Sequence, residues 1–251
     1  MEAHPLVFAA QRLRDAAGRL RAPLGKAAYV LNPLDYAWPI HRSYLERFAP
    51  RAQGKVEAVL VGMNPGPWGM AQTGIPFGSP DVVRDFLGLR GELRRAPATH
   101  PKRPVSGLAS PRGEVSGRRL WGGARDCFRT PAAFFARFFV LNYCPLAFQS
   151  DTGANVTPDK LPQGALAGCY AACDDHLAAA LQHLGPRTAI GVGRWAERRL
   201  AAVVEARGLS VEVASILHPS PASPAANRGW LAQARAQLEA LGHAWPEPAA
   251  D

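Results

Sequence analysis

Three polar side chains stand where predicted β-strands end: Asn64, Asn142 and His218. A carboxamide offers hydrogen-bond donors and an acceptor together, as asparagine does when it pairs with the edge of a base. A histidine at the end of a strand could polarise or protonate a ligand. Loops at the carboxyl ends of parallel strands meet at one edge of the sheet, where ligands bind in such proteins. The three side chains are therefore predicted to share a site.

The loop that carries Asn64 spans residues 62–78 and has five glycines and three prolines in seventeen positions. Glycine lets the backbone approach a ligand closely, and proline restricts the alternatives, so we predict a preformed cradle that presents Asn64 and Phe77. A purely structural Ω-loop is the alternative interpretation. The loop after His218 is likewise stiffened by three prolines.

Residues 191–196, Gly-Val-Gly-Arg-Trp-Ala, match the G-x-G-x-x-A pattern between a strand and a helix, which raises a dinucleotide site as a competing hypothesis. That fingerprint belongs in the first βα unit of a fold, and here it falls in the third. Close packing of a strand against a helix is the simpler explanation of these glycines.

The elements that position these loops alternate between strands and helices. The predicted strands are 56–62, 138–142, 188–193 and 211–218, with the second run apolar from residue 134. The predicted helices are 4–21, 80–88, a region from Thr157 to Gly185, 194–207, and a last helix capped by Asn227 and ending near Gly242. Apolar strands with helical crossovers predict an α/β fold: a three-layer α/β/α domain around a four-stranded parallel sheet. We expect one domain over residues 1–251, with an N-terminal helical extension of about 28 residues.

The net charge is +9, and eleven basic against four acidic residues fall within residues 84–129. Such a balance suits an anionic partner such as nucleic acid. Because several prolines and glycines interrupt this stretch, we predict a long basic insertion without a long helix. It is either a solvated excursion or a surface that contacts phosphates.

The four cysteines lack the spacing of a metal site, and Cys169 and Cys173 would share one face of a helix and pack in the core. We therefore expect no metal and no other cofactor. No apolar run reaches the ~20 residues that a membrane span requires, and the first residues do not resemble a secretion signal. The sequence predicts a monomer located in the cytoplasm.

These loops resemble the single-strand-selective monofunctional uracil-DNA glycosylase family, within the uracil-DNA glycosylase superfamily. The resemblance rests on Gly-Met-Asn-Pro-Gly-Pro-Trp-Gly-Met-Ala-Gln-Thr-Gly at residues 62–74, Pro-Phe-Gly at 76–78, Asn-Tyr-Cys-Pro-Leu at 142–146 and His-Pro-Ser-Pro at 218–221. Supporting stretches lie at residues 29–41, 100–105, 114–117 and 155–158. The likeness runs from about residue 29 to residue 242.

The resemblance implies the uracil-DNA glycosylase fold and a division of roles. Asn64 would hold the water that attacks the sugar C1′, and His218 would stabilise negative charge on uracil O2. Asn142 would bind the N3 and O4 edge, and Phe77 would stack on the flipped ring. The resemblance also assigns to the base pocket Met63, Gly66 and Met70, the last two beside C5.

The resemblance assigns the loop after His218 to DNA as a wedge that enters the duplex; the residues concerned are Pro219, Ser220, Pro221, Ala222, Ser223, Asn227 and Arg228. Two residues depart from the family pattern. Ala222 stands where the family often has arginine. Either the loop penetrates the duplex more weakly, or Arg228 takes the role of that arginine. Trp68 replaces a more usual phenylalanine.

The implied activity is hydrolysis of the N-glycosidic bond of uracil, and of oxidised uracil such as 5-hydroxymethyluracil, in single- and double-stranded DNA. The product is an abasic site. No lysine stands in the motif loops, so no lyase step is expected. A non-catalytic DNA-binding module is the alternative, and a dinucleotide-binding enzyme is a weaker one.

Overall fold

A computed structural model describes residues 4–52, 54, 56–95 and 97–248. The first three residues of the predicted N-terminal extension and the last three of the predicted domain lie outside the described residues. The described strands are β1 Tyr29–Leu31, β2 Ala58–Gly62, β3 Phe138–Asn142, β4 Ala147–Gln149, β5 Asn155–Val156, β6 Thr188–Val192 and β7 Glu212–Ile216.

The described α-helices are α1 Pro5–Ala17, α2 Pro33–Tyr36, α3 Trp38–Ala52, α4 Met70–Thr73, α5 Pro80–Asp85, α6 Val115–Phe128, α7 Pro131–Phe135, α8 Gln163–Leu184, α9 Arg194–Ala206, α10 Pro224–Asn227 and α11 Trp230–Ala240. Short 3₁₀ helices lie at Gly107–Ala109 and Pro158–Lys160. None of the helices described is both long and apolar enough to cross a membrane.

The four predicted strands form one parallel sheet in the order β3-β2-β6-β7. Every residue of β2, β3 and β6 is buried, so helices cover both faces of the sheet. The predicted α/β/α fold and its central four-stranded sheet are confirmed.

A second, antiparallel sheet in the order β1-β4-β5 was not predicted. Its strands have only two or three residues, too short to show alternation in the sequence. The chain leaves the main sheet at Asn142 and enters this small sheet five residues later. Residues after β5 thereby return to the edge of the main sheet where β3 ends.

The prediction that residues 84–129 contain no long helix is wrong for their second half. Helix α6 has fourteen residues and begins at Val115, after the last of the interrupting prolines, Pro111. It buries an apolar face that includes Leu120 and Trp121. The basic residues of this helix therefore lie on an element packed into the fold and not on a solvated loop.

Several helix boundaries also differ from the predicted ones: α1 ends at Ala17 and α5 at Asp85, earlier than predicted. Asn227 does not cap the last helix; it ends α10, and Gly229, with φ +101°, precedes α11. The apolar run from residue 134 is not all strand, because Phe134 and Phe135 end helix α7. Both faces of an apolar run can be buried in a helix as well as in a strand, so the sequence pattern does not separate the two.

Candidate active site

A cleft of about 470 Å³ opens at the carboxyl edge of the parallel sheet. The helices and loops that follow β2, β3, β5 and β7 all contribute to its wall. The lining residues are Met63, Asn64, Gly66, Pro67, Trp68, Phe77, Gly113, Glu114, Val115, Ser116, Asn142, Asn155, Thr157, His218, Ser220 and Pro221. The structure therefore brings together Asn64, Phe77, Asn142 and His218, which are far apart in the chain.

Asn142 is buried and lies at the floor of the cleft. It ends β3 opposite Gly62, the last residue of β2. A side chain on Gly62 would overlap the Oδ1 atom of Asn142 and lie 2.6 Å from the ring of Phe77, so glycine is required there. The Nδ2 atom of Asn142 lies 3.2 Å from the Sδ atom of Met70, whereas its Oδ1 atom is buried without a hydrogen-bond partner. A buried acceptor without a partner is costly unless a ligand supplies the donor.

Phe77 forms a wall of the cleft and has the left-handed backbone conformation, with φ +54°. A residue other than glycine rarely adopts this conformation, and such strain concentrates at functional sites. Hydrogen bonds to its neighbours hold it: Trp121 Nε1 donates to the Pro76 carbonyl at 3.0 Å, and Thr73 Oγ1 donates to the Gly78 carbonyl at 2.8 Å.

Helix α6 supports Phe77 from behind, which gives a prediction for two glycines on that helix. A Cβ at Gly117 would overlap the carbonyl oxygen of Phe77, whereas a Cβ at Gly122 would meet no atom within 4 Å. We expect Gly117→Ala to lower the free energy of unfolding by ~1–3 kcal/mol through overpacking. Gly122→Ala should raise it by up to ~1 kcal/mol through helix propensity. Urea unfolding of both variants checks this, and equal effects at the two positions would contradict it.

His218 follows β7 and faces Phe77, with 5.9 Å between the ring centroids. The preceding residue is anchored to α11, because Trp230 Nε1 donates to the Leu217 carbonyl at 2.7 Å and the Leu217 N–H donates to Gln237 at 2.8 Å. Burial lowers the pKa of His218 to about 4. The imidazole is therefore neutral at neutral pH and can donate one hydrogen bond without carrying charge.

Asn64 lines the cleft. Its Nδ2 atom lies 3.3 Å from the carbonyl of Leu146, to which it donates. This bond orients the side chain and leaves its carbonyl oxygen available. An oriented carbonyl oxygen can accept a hydrogen bond from a water molecule and hold it in place.

Packing accounts for the two glycines of the dinucleotide-like pattern. A Cβ at Gly191 would overlap the backbone of Glu197 in helix α9. Gly193 has φ +96°, and a Cβ there would lie 3.2 Å from the Cβ of His218. The first glycine permits close contact between β6 and α9, and the second makes room for the histidine of the cleft.

Glu114 and Trp68 line the cleft, although neither was predicted as a site residue. Burial raises the pKa of Glu114 to about 7. Arg103 and Arg112 lie over the Trp68 ring, 5.4 Å and 4.9 Å from its centre. Glu114 falls in a stretch that supports the resemblance, but a lone glutamate before a helix is typical of a solvent-exposed helix end. Its burial was visible only once the fold was known.

The remaining predicted residues lie around the cleft in different ways. Met70 is buried behind Asn142 and does not line the cleft. Of the predicted wedge loop, Ser220 and Pro221 line the cleft, while the other predicted residues do not; these are Pro219, Ala222, Ser223, Asn227 and Arg228. Among them Ala222, Asn227 and Arg228 are exposed.

Arg119 of helix α6 organises the wedge loop. Its guanidinium donates to the carbonyls of Pro219 at 3.1 Å and Ser220 at 3.3 Å, and to Asn227 Oδ1 at 2.8 Å. Asn227 Nδ2 in turn donates to the Pro221 carbonyl at 2.9 Å. Both polar atoms of the Asn227 amide are thus used in hydrogen bonds that hold the loop together.

Three buried cysteines lie together beneath the loop after β3: Cys144, Cys169 and Cys173, with sulfur atoms within 4.8 Å of one another. The helical spacing predicted that Cys169 and Cys173 pack in the core, and the structure adds Cys144. Three thiols can hold a soft metal ion. They are not among the residues that line the cleft.

The fold and site together define a class: an α/β protein whose parallel sheet brings a buried amide, an aromatic ring and a neutral imidazole into one cleft at the carboxyl ends of its strands. A sequence model of the Uracil DNA glycosylase superfamily matches residues 50–241. The single-strand selective monofunctional uracil DNA glycosylase of Bos taurus is 48% identical over 213 residues, 85% of this chain and 77% of the relative. The protein of that name from Rattus norvegicus is 46% identical over 230 residues, 89% and 82% of the two chains.

The fold is similar to that in the crystal structure of Pedobacter heparinus SMUG2, with a TM-score of 0.62 and 18% identity over 93% of this chain and 98% of that one. The family match covers most of the chain, and the sequence identities are high. The chain therefore belongs to the single-strand selective monofunctional uracil-DNA glycosylase family of the uracil-DNA glycosylase superfamily.

Proposed function

We propose that this protein hydrolyses the N-glycosidic bond between uracil and deoxyribose in single- and double-stranded DNA, and that it also accepts oxidised uracil such as 5-hydroxymethyluracil. The product is an abasic site, and no lyase step follows. Family membership supports a glycosylase, and the geometry of the cleft supports uracil as the base.

The observation that carries the proposal is the buried Oδ1 atom of Asn142, which has no hydrogen-bond partner. In a cleft walled by Phe77, this acceptor suits the N3–H of uracil, and the Nδ2 group of the same amide suits O4. Cytosine presents the opposite pattern, an acceptor at N3 and a donor at C4. It would leave buried groups unpaired at a cost of ~1–3 kcal/mol each.

The neutral imidazole of His218 is suited to the leaving group. As the bond between C1′ and N1 breaks, its electron pair moves onto the base, and negative charge grows on O2. A positioned donor in a desolvated site stabilises such charge by ~3–4 kcal/mol. A neutral imidazole holds its remaining proton tightly, so the low pKa of His218 favours hydrogen bonding over full proton transfer.

Asn64 is suited to the other half of the reaction. Its oriented carbonyl oxygen holds a water whose oxygen joins C1′ as the base departs, and the proton of that water passes to solvent or to the released base. A carboxamide is too weak a base to drive the step by removing the proton. Most of the rate acceleration must therefore come from stabilising the uracil anion.

The substrate base has to leave the helical stack to enter the cleft, which costs least in single strands and mispairs. Trp68, with Arg103 and Arg112 over its ring, extends the cleft with an aromatic and basic surface. Such surfaces bind single strands by stacking and by attraction to phosphates. Ser220 and Pro221 of the wedge loop also line the cleft, so this loop is suited to fill the vacated position.

The lining of the cleft supports a monofunctional enzyme. Among the described residues that line it there is no lysine. An amine nucleophile would be required to form a Schiff base with the opened sugar. Hydrolysis by water is the route that we propose.

One assay tests the proposal. Oligonucleotides that contain uracil, 5-hydroxymethyluracil or cytosine, each in single and double strands, are incubated with the protein and then treated with alkali, which breaks the strand at abasic sites. Cleavage of the first two and not the third is the expected result. Strand cleavage without alkali would contradict the absence of a lyase step. Intact uracil DNA, bound or unbound, would contradict the proposal itself.

The wedge loop gives a prediction that separates the two kinds of DNA. We expect Arg119→Ala to lower kcat/KM on double-stranded uracil DNA about tenfold, because the loop loses the hydrogen bonds that preorganise it. The loss on single strands should be smaller, since no duplex has to be opened. Arg125→Ala is the matched control, because Arg125 is on the same helix and its salt bridge is to the neighbouring Asp126. An equal loss on both DNA forms would show that Arg119 does not act through the wedge.

A further inference from the structure

The three buried cysteines beneath the loop after β3 take no part in the proposed mechanism. Cys144 belongs to that loop, and Cys169 and Cys173 belong to helix α8. Each of these residues is at most 5% exposed, and none lines the cleft. All three are free thiols, so their sulfur atoms are available as ligands.

The spacing of the sulfur atoms suits a single metal ion. All three lie within 4.8 Å of one another. An ion that binds sulfur at about 2.3 Å holds its sulfur ligands about 3.8–4.0 Å apart. Each sulfur would therefore move by about half an ångström at most to reach a common ion, a shift that side-chain torsions can supply.

Hydrogen bonds already link the three sulfur atoms. The thiol of Cys144 shares hydrogen bonds with those of Cys169 and Cys173, and the last two share one with each other. The backbone N–H of Leu146 donates to the sulfur of Cys144. Hydrogen bonds from N–H groups to sulfur orient thiolate ligands in metal sites and stabilise their charge.

Both parts of the cluster are held by the surrounding fold. The N–H of Cys144 donates to the Met63 carbonyl at 2.9 Å, which joins the loop after β3 to the end of β2. Tyr143 Oη donates to Asp174 of helix α8 at 2.6 Å, next to Cys173 in the chain. Ligands that are preorganised in this way lose little conformational entropy when they bind an ion.

The kind and number of ligands decide which ion fits. Thiolates select soft metal ions such as monovalent copper and zinc. Zinc in closed structural sites takes four protein ligands. In the part of the chain that the structure describes, no histidine, carboxylate or further cysteine lies within the same distance of all three sulfurs. Three sulfur ligands without a fourth suit monovalent copper better than zinc.

We propose that Cys144, Cys169 and Cys173 form a binding site for a soft metal ion, monovalent copper, held by their three sulfur atoms. The ion replaces thiol protons, which pass to solvent, and its oxidation state does not change. It connects the loop after β3 to helix α8, two residues beyond Asn142. The site is separate from the cleft, and this inference does not depend on the proposed function.

Competition with a chromogenic chelator of monovalent copper, without oxygen, tests the site in the full chain. The wild-type protein should retain one copper ion per chain. Cys169→Ala should lose about a hundredfold in affinity, because one of the three ligands is removed. Cys127→Ala is the matched control, at a buried cysteine of helix α6 outside the cluster, and should bind as the wild type does. Equal affinity in Cys169→Ala and the wild type would overturn the proposal.

X-ray absorption at the copper edge tests the coordination without any variant. We expect three sulfur neighbours around the ion bound to the wild-type protein, and no nitrogen or oxygen. A spectrum dominated by nitrogen or oxygen neighbours would show adventitious binding elsewhere and overturn the proposal. If Cys169→Ala does not fold, this spectrum decides.

Thermal unfolding distinguishes copper from zinc. Because the ion binds the folded chain, monovalent copper should raise the Tm of the wild type and of Cys127→Ala, and leave that of Cys169→Ala unchanged. Zinc at the same concentration should raise the Tm less, since a fourth ligand is missing. A larger rise with zinc would overturn the assignment to copper. None of these measurements uses DNA, so their failure and a failure of uracil excision are told apart.

Discussion

Replacing His218 by leucine should lower kcat for uracil excision by about a hundredfold to a thousandfold, because the departing uracil loses its hydrogen-bond donor at O2. Binding should change much less, because the imidazole donates most strongly when charge develops in the transition state. Leucine fills a similar volume beside Phe77 and Gly193, so the cleft should keep its shape. Single-turnover kinetics on a uracil oligonucleotide measure the loss, and a loss smaller than about tenfold would contradict the role.

The matched control is His183→Leu, at a histidine whose ring packs on His4 and which does not line the cleft. It should keep wild-type activity. The pH profile gives a second measurement. Because the pKa of His218 is lowered to about 4, the neutral form persists as the pH falls from about 7.5 to about 5.5. Wild-type activity should therefore not decline through the range in which an ordinary histidine takes up a proton. If the activity of the wild-type protein fell over this pH range and that of His218→Leu did not, the imidazole would have an ordinary pKa and would not be desolvated.

The sequence predicts the strands of the parallel sheet well, because a strand that is buried on both faces is a continuous apolar run. The strands at Ala58–Gly62 and Phe138–Asn142 lie within the predicted ranges, and their parallel pairing follows from helical crossovers. Parallel topology then brings the ends of the strands to one edge. This is why the sequence alone predicts that Asn142 and His218 share a cleft.

Local sequence patterns did not predict the features that depend on contacts with a distant part of the chain. Arg119 looked like one of many basic residues, but its guanidinium binds carbonyls about one hundred positions away. Glu114 is polar in sequence, yet its Oε2 atom is buried in the structure, because the glycines at 66 and 69 let the loop pack against its carboxyl group. Helix α6 escaped prediction since prolines just before it dominated the composition of the segment. Such long-range contacts leave no periodic pattern or fixed spacing in the sequence, so a single sequence does not reveal them.

Replacing Asn64 by alanine should lower kcat about a hundredfold, since the attacking water is no longer held at the distance and angle that the reaction requires. The Nδ2 bond to the Leu146 carbonyl orients the amide before substrate binds, and alanine removes both that anchor and the acceptor for water. The base itself does not rely on Asn64 for recognition. The affinity for uracil DNA should therefore stay within about threefold of wild type.

Binding and chemistry are separated with a 2′-fluorinated deoxyuridine, in which the electron-withdrawing fluorine slows loss of the base, so that affinity is measured without turnover. Asn142→Ala is the informative comparison, because it should show the opposite division: weaker binding of the analogue and a smaller preference for uracil over cytosine. If Asn64→Ala bound the analogue as poorly as Asn142→Ala while keeping its kcat, Asn64 would be a base-recognition residue. Another polar group in the cleft wall would then have to hold the water. The same two measurements, affinity for the analogue and kcat, made on alanine variants of those residues would identify it.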